Sequence, residues 1–135
     1  DIFVIGGAAG ASDSKKKKGS AFPEVYSPNT GFRVLTNAKV PNTANNPFEK
    51  HWWYPHCYVN SKGDIIVISP QGKKADIYRI EYEGYGSVSK IGEKPFLAHP
   101  RTPSIMFRTD QVVFLDDDGT LWIAVISNSF SVGWK

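Results

Sequence analysis

Cysteine is nearly absent from the sequence: Cys57 is the single one, which excludes a disulfide within the chain. No apolar run approaches the roughly 20 residues that a membrane-spanning helix needs, and no signal peptide is present. The chain opens at Asp1 directly inside a predicted strand, as expected of a mature terminus rather than a translation start. We therefore predict no membrane span and no internal disulfide.

Helical periodicity is missing as well. No run of ten residues repeats its apolar positions at the spacing of a helix. Aromatic residues, 13% of the 135, instead cluster with β-branched residues, and 41% of the chain is hydrophobic. The sequence therefore predicts an all-β protein, and its length suffices for one domain with a core.

The excess of positive charge comes from one short run. Residues 15–18 are four consecutive lysines, and without them the formal charge of +3 becomes −1. A nucleic-acid surface would need basic residues interleaved with stacking aromatics, so we expect no nucleic-acid partner. The run predicts either a solvated tip of an exposed, mobile loop over residues 8–21 or a contact with an anionic surface.

Residues 51–69 predict the hairpin around which the chain is organised. An aromatic-rich strand over residues 54–60 is followed by the turn Asn60-Ser61-Lys62-Gly63, and then by a short apolar strand over residues 64–68. The pattern of residues 63–69 recurs at 119–125 and, without its leading glycine, at 1–7. Recurrence at roughly 40–60 residues is typical of the blades of a β-propeller.

The first copy carries a more specific resemblance. Gly6-Gly7 ends a strand, Tyr26 lies in the next one, and Asn29-Thr30-Gly31 forms a turn. This arrangement resembles a kelch repeat. Within kelch proteins the chain is similar to the galactose oxidase and glyoxal oxidase group of copper-radical oxidases. The matching stretches are PEVYSP (23–28), NAKV (37–40), and WYP (53–55) ahead of GDIIV (63–67).

The resemblance implies about two and a half blades of a kelch-like β-propeller. We expect an incomplete blade over residues 1–40, a blade over 52–92 and an incomplete blade over 103–127, with Ile105 to Leu115 as one strand of the last. A propeller usually closes a ring of about four to eight blades. The chain is therefore expected to be a piece of a longer polypeptide, and the remaining blades of that protein, or other chains, would complete the ring.

The resemblance also implies a chemistry. In this family a copper ion is held by two tyrosines and two histidines, with one tyrosine cross-linked to a cysteine. It oxidises a primary alcohol or aldehyde and reduces oxygen to hydrogen peroxide in an extracellular protein. Tyr54 matches the cross-linked tyrosine, which makes it the predicted catalytic residue and metal ligand. An alternative alignment places that tyrosine before Asp1. No adjacent Tyr-His pair occurs in the sequence, so the segment by itself is not expected to be catalytic.

A non-catalytic kelch-like propeller, acting as a structural, glycan-binding or protein-binding scaffold, is the alternative function. Trp52 and Trp53, with Tyr82, Tyr85 and Phe48, could stack on sugar rings, or could pack between blades.

Two further groups of residues could bind a metal, but each can also be explained without one. His51, His56 and Cys57 could bind a soft or borderline metal, although neighbouring residues of a strand face opposite sides and packed aromatics would also explain them. Cys57 itself could be a nucleophile or a small buried apolar residue. Asp116-Asp117-Asp118-Gly119 could bind calcium, but the glutamate of an EF-hand is missing, which favours a hairpin turn.

Overall fold

In a computed structural model the chain is all-β, as predicted. The structure describes residues 1–5, 8–9, 18–19, 21–41, 55–69, 75–96 and 102–135, and no helix occurs among them. The strands are β1 (Ile2–Val4), β2 (Ala8–Ala9), β3 (Lys18–Gly19), β4 (Glu24–Ser27), β5 (Gly31–Val34), β6 (His56–Val59), β7 (Ile65–Ile68), β8 (Asp76–Glu81), β9 (Ser87–Glu93), β10 (Ser104–Arg108), β11 (Gln111–Leu115), β12 (Leu121–Val125) and β13 (Gly133–Trp134).

These strands form three open antiparallel sheets and one short hairpin. The first sheet has the order β1-β4-β5, the central sheet β6-β7-β8-β9 and the third sheet β10-β11-β12-β13. The short hairpin pairs β2 with β3, inside residues 8–21 that were predicted to be an exposed loop. In the three larger sheets, strands that are consecutive in a sheet's order are hydrogen-bonded neighbours.

The central sheet is packed on both faces. All four residues of β7 are buried. Ile65 and Val67 join an apolar cluster with residues of the first sheet, and Ile66 and Ile68 join a second cluster with residues of the third sheet. Side chains alternate between the faces of a strand, so the three sheets form a stack with the central sheet in the middle. Each buried aliphatic side chain contributes about 1.5–3 kcal/mol, which explains why β7 is apolar throughout.

Hydrogen bonds also join the layers of the stack. Arg33 of β5 donates from Nη2 to the Tyr82 carbonyl oxygen at 2.8 Å, which ties the first sheet to the central one. On the other side, Asn60 donates from Nδ2 to the Ile126 carbonyl oxygen at 3.1 Å. The Ser61 backbone nitrogen donates to Oδ1 of Asp110 at 2.6 Å. The order of the sheets is therefore fixed by directional bonds as well as by apolar contact.

The outer faces of the stack are apolar and exposed. On the first sheet, Ile2 is 61% exposed and Phe32 is 68% exposed. On the third sheet, Ile105 is 63% exposed and Leu121 is 65% exposed. The residues that alternate with them, Phe3 on one side and Phe114 on the other, pack inward against the central sheet. Both end sheets thus have two apolar faces, of which one is covered.

The three segments that repeat one sequence pattern lie in three different sheets. The copy at residues 119–125 does not hold the same place in its sheet as the copy at residues 63–69, because β7 is second in its sheet whereas β12 is third. What the two glycine-led copies share is the preceding turn. Gly63 has φ +84° and Gly119 has φ +81°, a backbone conformation that favours glycine.

The two turns have the same hydrogen bonds. Asn60 Oδ1 accepts from the backbone nitrogens of residues 62 and 64, at 3.0 and 2.9 Å. Asp116 Oδ1 accepts from those of residues 118 and 120, at 3.0 and 2.8 Å. The hairpin-turn interpretation of Asp116-Asp117-Asp118-Gly119 is therefore confirmed. The repeated sequence pattern therefore predicts this turn, but it does not predict the position of the following strand in its sheet.

The third sheet differs most from its prediction. Residues 105–115 were expected to form one strand, but the chain reverses at Thr109-Asp110 between β10 and β11. Asp110 has φ +59° and is the one non-glycine residue with positive φ in the described ranges. Aspartate tolerates this conformation better than most residues do. Because β13 is added as well, the sheet has four strands where two were predicted.

Candidate functional site

The three predicted site residues, Trp52, Trp53 and Tyr54, lie outside the described residues, as do His51 and Phe48. Pro55 is the first described residue after them, and β6 begins at His56. The beginning of β6 is therefore where the structure describes the surroundings of the predicted site.

Two side chains of β6 point toward the third sheet and meet one residue there. His56 and Tyr58 are two residues apart on the strand and share a face. Ser104, the first residue of β10, places its Oγ 2.7 Å from Nδ1 of His56. The same Oγ is hydrogen-bonded to the Tyr58 hydroxyl. A chain of three polar side chains thus links the central and third sheets at this end of the stack.

The His56 ring is embedded among protein atoms. It packs edge-on against Phe114, with 5.6 Å between ring centroids. Burial, and to a smaller extent the charge of Lys94, lower the pKa of His56 to about 4. The ring is therefore neutral near pH 7. Its Nε2 atom is buried and has no hydrogen-bond partner among the described residues.

Lys94 lies at the same end of the central sheet. Its side chain is almost fully buried, with 1% of the residue exposed. Nζ is 3.5 Å from the carbonyl oxygen of Ser69, the residue that follows the strand partner of His56, Ile68. Nζ also lies 5.4 Å from the centroid of the Phe96 ring. Burial lowers the pKa of Lys94 to about 8, against an opposing effect of Asp117.

Aromatic rings form the floor of this region. Phe96 stacks on Trp122 at 5.5 Å between centroids and meets Trp134 edge-on at 5.4 Å. Phe114 contacts Phe96 at 5.5 Å. Because these rings come from β11, β12, β13 and the segment after β9, the cluster forms only when the central and third sheets are in contact.

Cys57 faces the opposite side of β6 from His56, as the alternation of a strand requires. The side chain keeps contact with solvent, yet nearby protein atoms desolvate the thiol and raise its pKa to about 12. In the ranges that the structure describes, no group of three or more histidine, cysteine or acidic residues could hold a metal ion. The described residues therefore do not form a copper site, and Tyr54 is not among them.

The proposed sugar platform is described only in part. Tyr85 is 68% exposed at a turn. Tyr82 packs against the apolar cluster between the first and central sheets and lines a cavity of about 300 Å³ with Phe3 and Val59. The structure does not join these two tyrosines to Trp52 or Trp53, which lie outside the described residues.

Sequence reasoning missed two residues of the cluster, Ser104 and Lys94. Ser104 follows a proline in a polar connection, and Lys94 lies between Glu93 and Pro95 at the end of a strand. Neither position carries a pattern that separates it from a solvated residue. Only the tertiary structure brings them to the same end of the central sheet as His56.

Within the part of the chain that the structure describes, no helix has the length and apolar character that crossing a bilayer requires. No family model, curated protein or solved structure matches the chain.

Proposed function

We propose that this chain supplies three neighbouring blades of a kelch-type β-propeller, in a protein similar to the galactose oxidase and glyoxal oxidase group. The observation that carries the proposal is the pair of exposed apolar outer faces. Ile2 and Phe32 at one end, and Ile105 and Leu121 at the other, are positions that a further blade on each side would bury. Such exposed patches mark surfaces that contact another protein segment.

The order of strands supports the same interpretation. In the central and third sheets, four consecutive strands follow one another across the sheet, which is the arrangement of a propeller blade. The first sheet fits this plan if β1, β4 and β5 correspond to β7, β8 and β9, in which case only its first strand is lacking. The remaining blades of the same protein, or other chains, would supply that strand and close the ring.

The parent protein is, on this proposal, an extracellular oxidase of primary alcohols or aldehydes. Copper, when bound, would supply the two-electron chemistry that reduces oxygen to hydrogen peroxide. Tyr54 is its proposed ligand in this segment, and the other ligands would come from outside it. The sequence resemblance supports this step. The described residues contribute the scaffold of strands, including the beginning of β6.

The oxidase proposal is tested on the protein that contains this segment, loaded with copper. We expect hydrogen peroxide to be released with galactose or with glyoxal as substrate. Tyr54→Phe should reduce the release to background, and Phe130→Leu, at a side chain that is 77% exposed and outside the predicted site, should leave it unchanged. Equal peroxide release by the protein and by Tyr54→Phe would show that Tyr54 has no part in the reaction.

A non-catalytic scaffold is the second candidate function. It is favoured by His56, whose Nδ1 is hydrogen-bonded to Ser104 and whose ring packs against Phe114. On this alternative the copper-treated protein releases no peroxide. A glycan-binding scaffold would retain oligosaccharides on an immobilised array, and Trp53→Ala would abolish that retention. Retention that is unaffected by Trp53→Ala would exclude the predicted stacking role of Trp53.

A further inference from the structure

Two buried nitrogen atoms at the same end of the central sheet lack an adequate acceptor among the described residues. Lys94 Nζ has the Ser69 carbonyl oxygen at 3.5 Å, the outer limit of a hydrogen bond. His56 Nε2 is buried and has no hydrogen-bond partner in the ranges that the structure describes. Buried charges are normally paired, because an uncompensated ammonium loses its hydration. In the described ranges, no carboxylate forms an ion pair with Lys94 at 4 Å or less.

The hydrogen bonds of Ser104 determine whether His56 Nε2 carries a proton and can donate a hydrogen bond. The Ser104 hydroxyl contacts both the Tyr58 hydroxyl and His56 Nδ1. When Tyr58 donates to Ser104 and Ser104 donates to Nδ1, each hydroxyl proton has an acceptor. A neutral imidazole then carries its single proton on Nε2. In this order Nε2 is a hydrogen-bond donor, like Nζ of Lys94.

We propose that His56 and Lys94 form a binding site for a small anion, a halide or a carboxylate, between the central and third sheets. Two donors, one of them an ammonium, select an acceptor with negative charge and disfavour a metal cation. The rings of Phe96 and Phe114 wall the region and limit the ligand to a small one. An anion there satisfies both nitrogens and compensates the buried charge. The site does not depend on the parent protein being an oxidase.

Bromide is a suitable probe, because it is a halide that anomalous diffraction identifies. Crystals of the protein grown in sodium bromide should show an anomalous peak within hydrogen-bond reach of both Lys94 Nζ and His56 Nε2. In solution, bromide at ten times its Kd should raise the Tm by roughly 4–6 °C. The ionic strength is held constant with sodium gluconate, whose anion is too large for the site.

Matched variants separate this site from general salt effects. Lys94→Met should abolish the bromide-dependent rise in Tm. Lys90→Met, which removes an exposed lysine from β9, should retain it. His56→Phe keeps an aromatic ring against Phe114 and should also abolish the rise; if it does not fold, Lys94→Met decides. An equal rise in the protein and in Lys94→Met, an anomalous peak without any change in Tm, or water in place of bromide would each overturn the proposal.

Discussion

At Gly86 the turn before β9 lies close to the segment that follows β5. Gly86 has φ +79°, and a Cβ built on it would lie 3.0 Å from the Cβ atoms of both Leu35 and Ala38. Any larger residue there meets two costs, the left-handed backbone and a collision with buried side chains. The turn preceding β9 is thus specified by one residue that has no side chain.

Gly86→Ala is expected to destabilise the protein by about 2–4 kcal/mol, the sum of left-handed strain and overpacking. Urea denaturation monitored by tryptophan fluorescence measures the change. Gly119→Ala is the control, because Gly119 has φ +81° but open space around a Cβ. It should lose only the strain, about 1–2 kcal/mol. Equal losses for the two variants would contradict the predicted collision.

Lys94 makes stability depend on pH in the alkaline range. Its pKa is lowered from 10.5 to about 8, so between these values the unfolded chain binds more protons than the folded one. The free energy of unfolding should therefore rise as the pH increases from about 8 to 10.5, by at most ~1.4 kcal/mol per pH unit. Denaturant titrations in anion-poor buffer across this range measure the slope.

Lys94→Met should flatten that rise and stabilise the protein at pH 7, since a buried charge is replaced by an apolar side chain of similar length. Lys90→Met should keep the rise, because Lys90 is exposed and pairs with Asp76 and Glu93 at its surface. A rise that persists in Lys94→Met would assign the pH dependence to another group.

At the scale of the element, the repeated turn is what the sequence predicts best. Local hydrogen bonds of Asn60 and Asp116 fix both turns, so residues close in sequence suffice to specify them. The two turns differ in their other side-chain contacts. Asn60 is buried and also donates to the Ile126 carbonyl oxygen, just after β12, and to Oδ2 of Asp64, whereas Asp116 donates nothing and accepts from Trp122 Nε1 at 2.8 Å.

Asn60→Ala should therefore cost more stability than Asp116→Ala. We expect about 2–4 kcal/mol for Asn60→Ala, from the loss of four side-chain hydrogen bonds and an unsatisfied carbonyl group. Asn60→Asp alone would lose the donations to both Ile126 and Asp64 and would place two carboxylates side by side. Combined with Asp64→Asn, it keeps both turn acceptors and the contact between residues 60 and 64, so the stability of this double variant should lie between those of the protein and Asn60→Ala. Thermal unfolding of the three variants measures this order; equal effects of the double variant and Asn60→Ala would show that the turn bonds contribute little.

Strands whose neighbouring residues carry a clear pattern were predicted correctly. Strands and turns that depend on contacts between the stacked sheets were not. The two strands predicted on either side of the turn at Asn60 to Gly63 are β6 and β7. The reversal at Asp110 has no glycine or proline, and it is held by Ser61, 49 residues away. β13 pairs at the end of a stretch without pattern. Long-range contacts of this kind leave no trace in a window of neighbouring residues.

At the scale of the whole molecule, the stack has two end faces that behave as contact surfaces. Phe32→Lys and Leu121→Lys place a charge at the centre of each face, where both residues are mostly exposed. In the complete parent protein, we expect either change to lower the Tm by several degrees, because a lysine would be buried between blades. Tyr85→Lys, at an exposed turn, should have little effect. Unchanged Tm values for both face variants would contradict the propeller proposal.

The enclosed position of β7 has a consequence for the order in which the protein opens. Its residues are covered above and below by other sheets and flanked in the plane by β6 and β8. A backbone amide of Ile66 or Val67 can reach deuterated water only after a whole layer has separated, whereas edge strands such as β5 and β10 can fray singly. Mass spectrometry of deuterium uptake should therefore find β7 to be the last strand labelled.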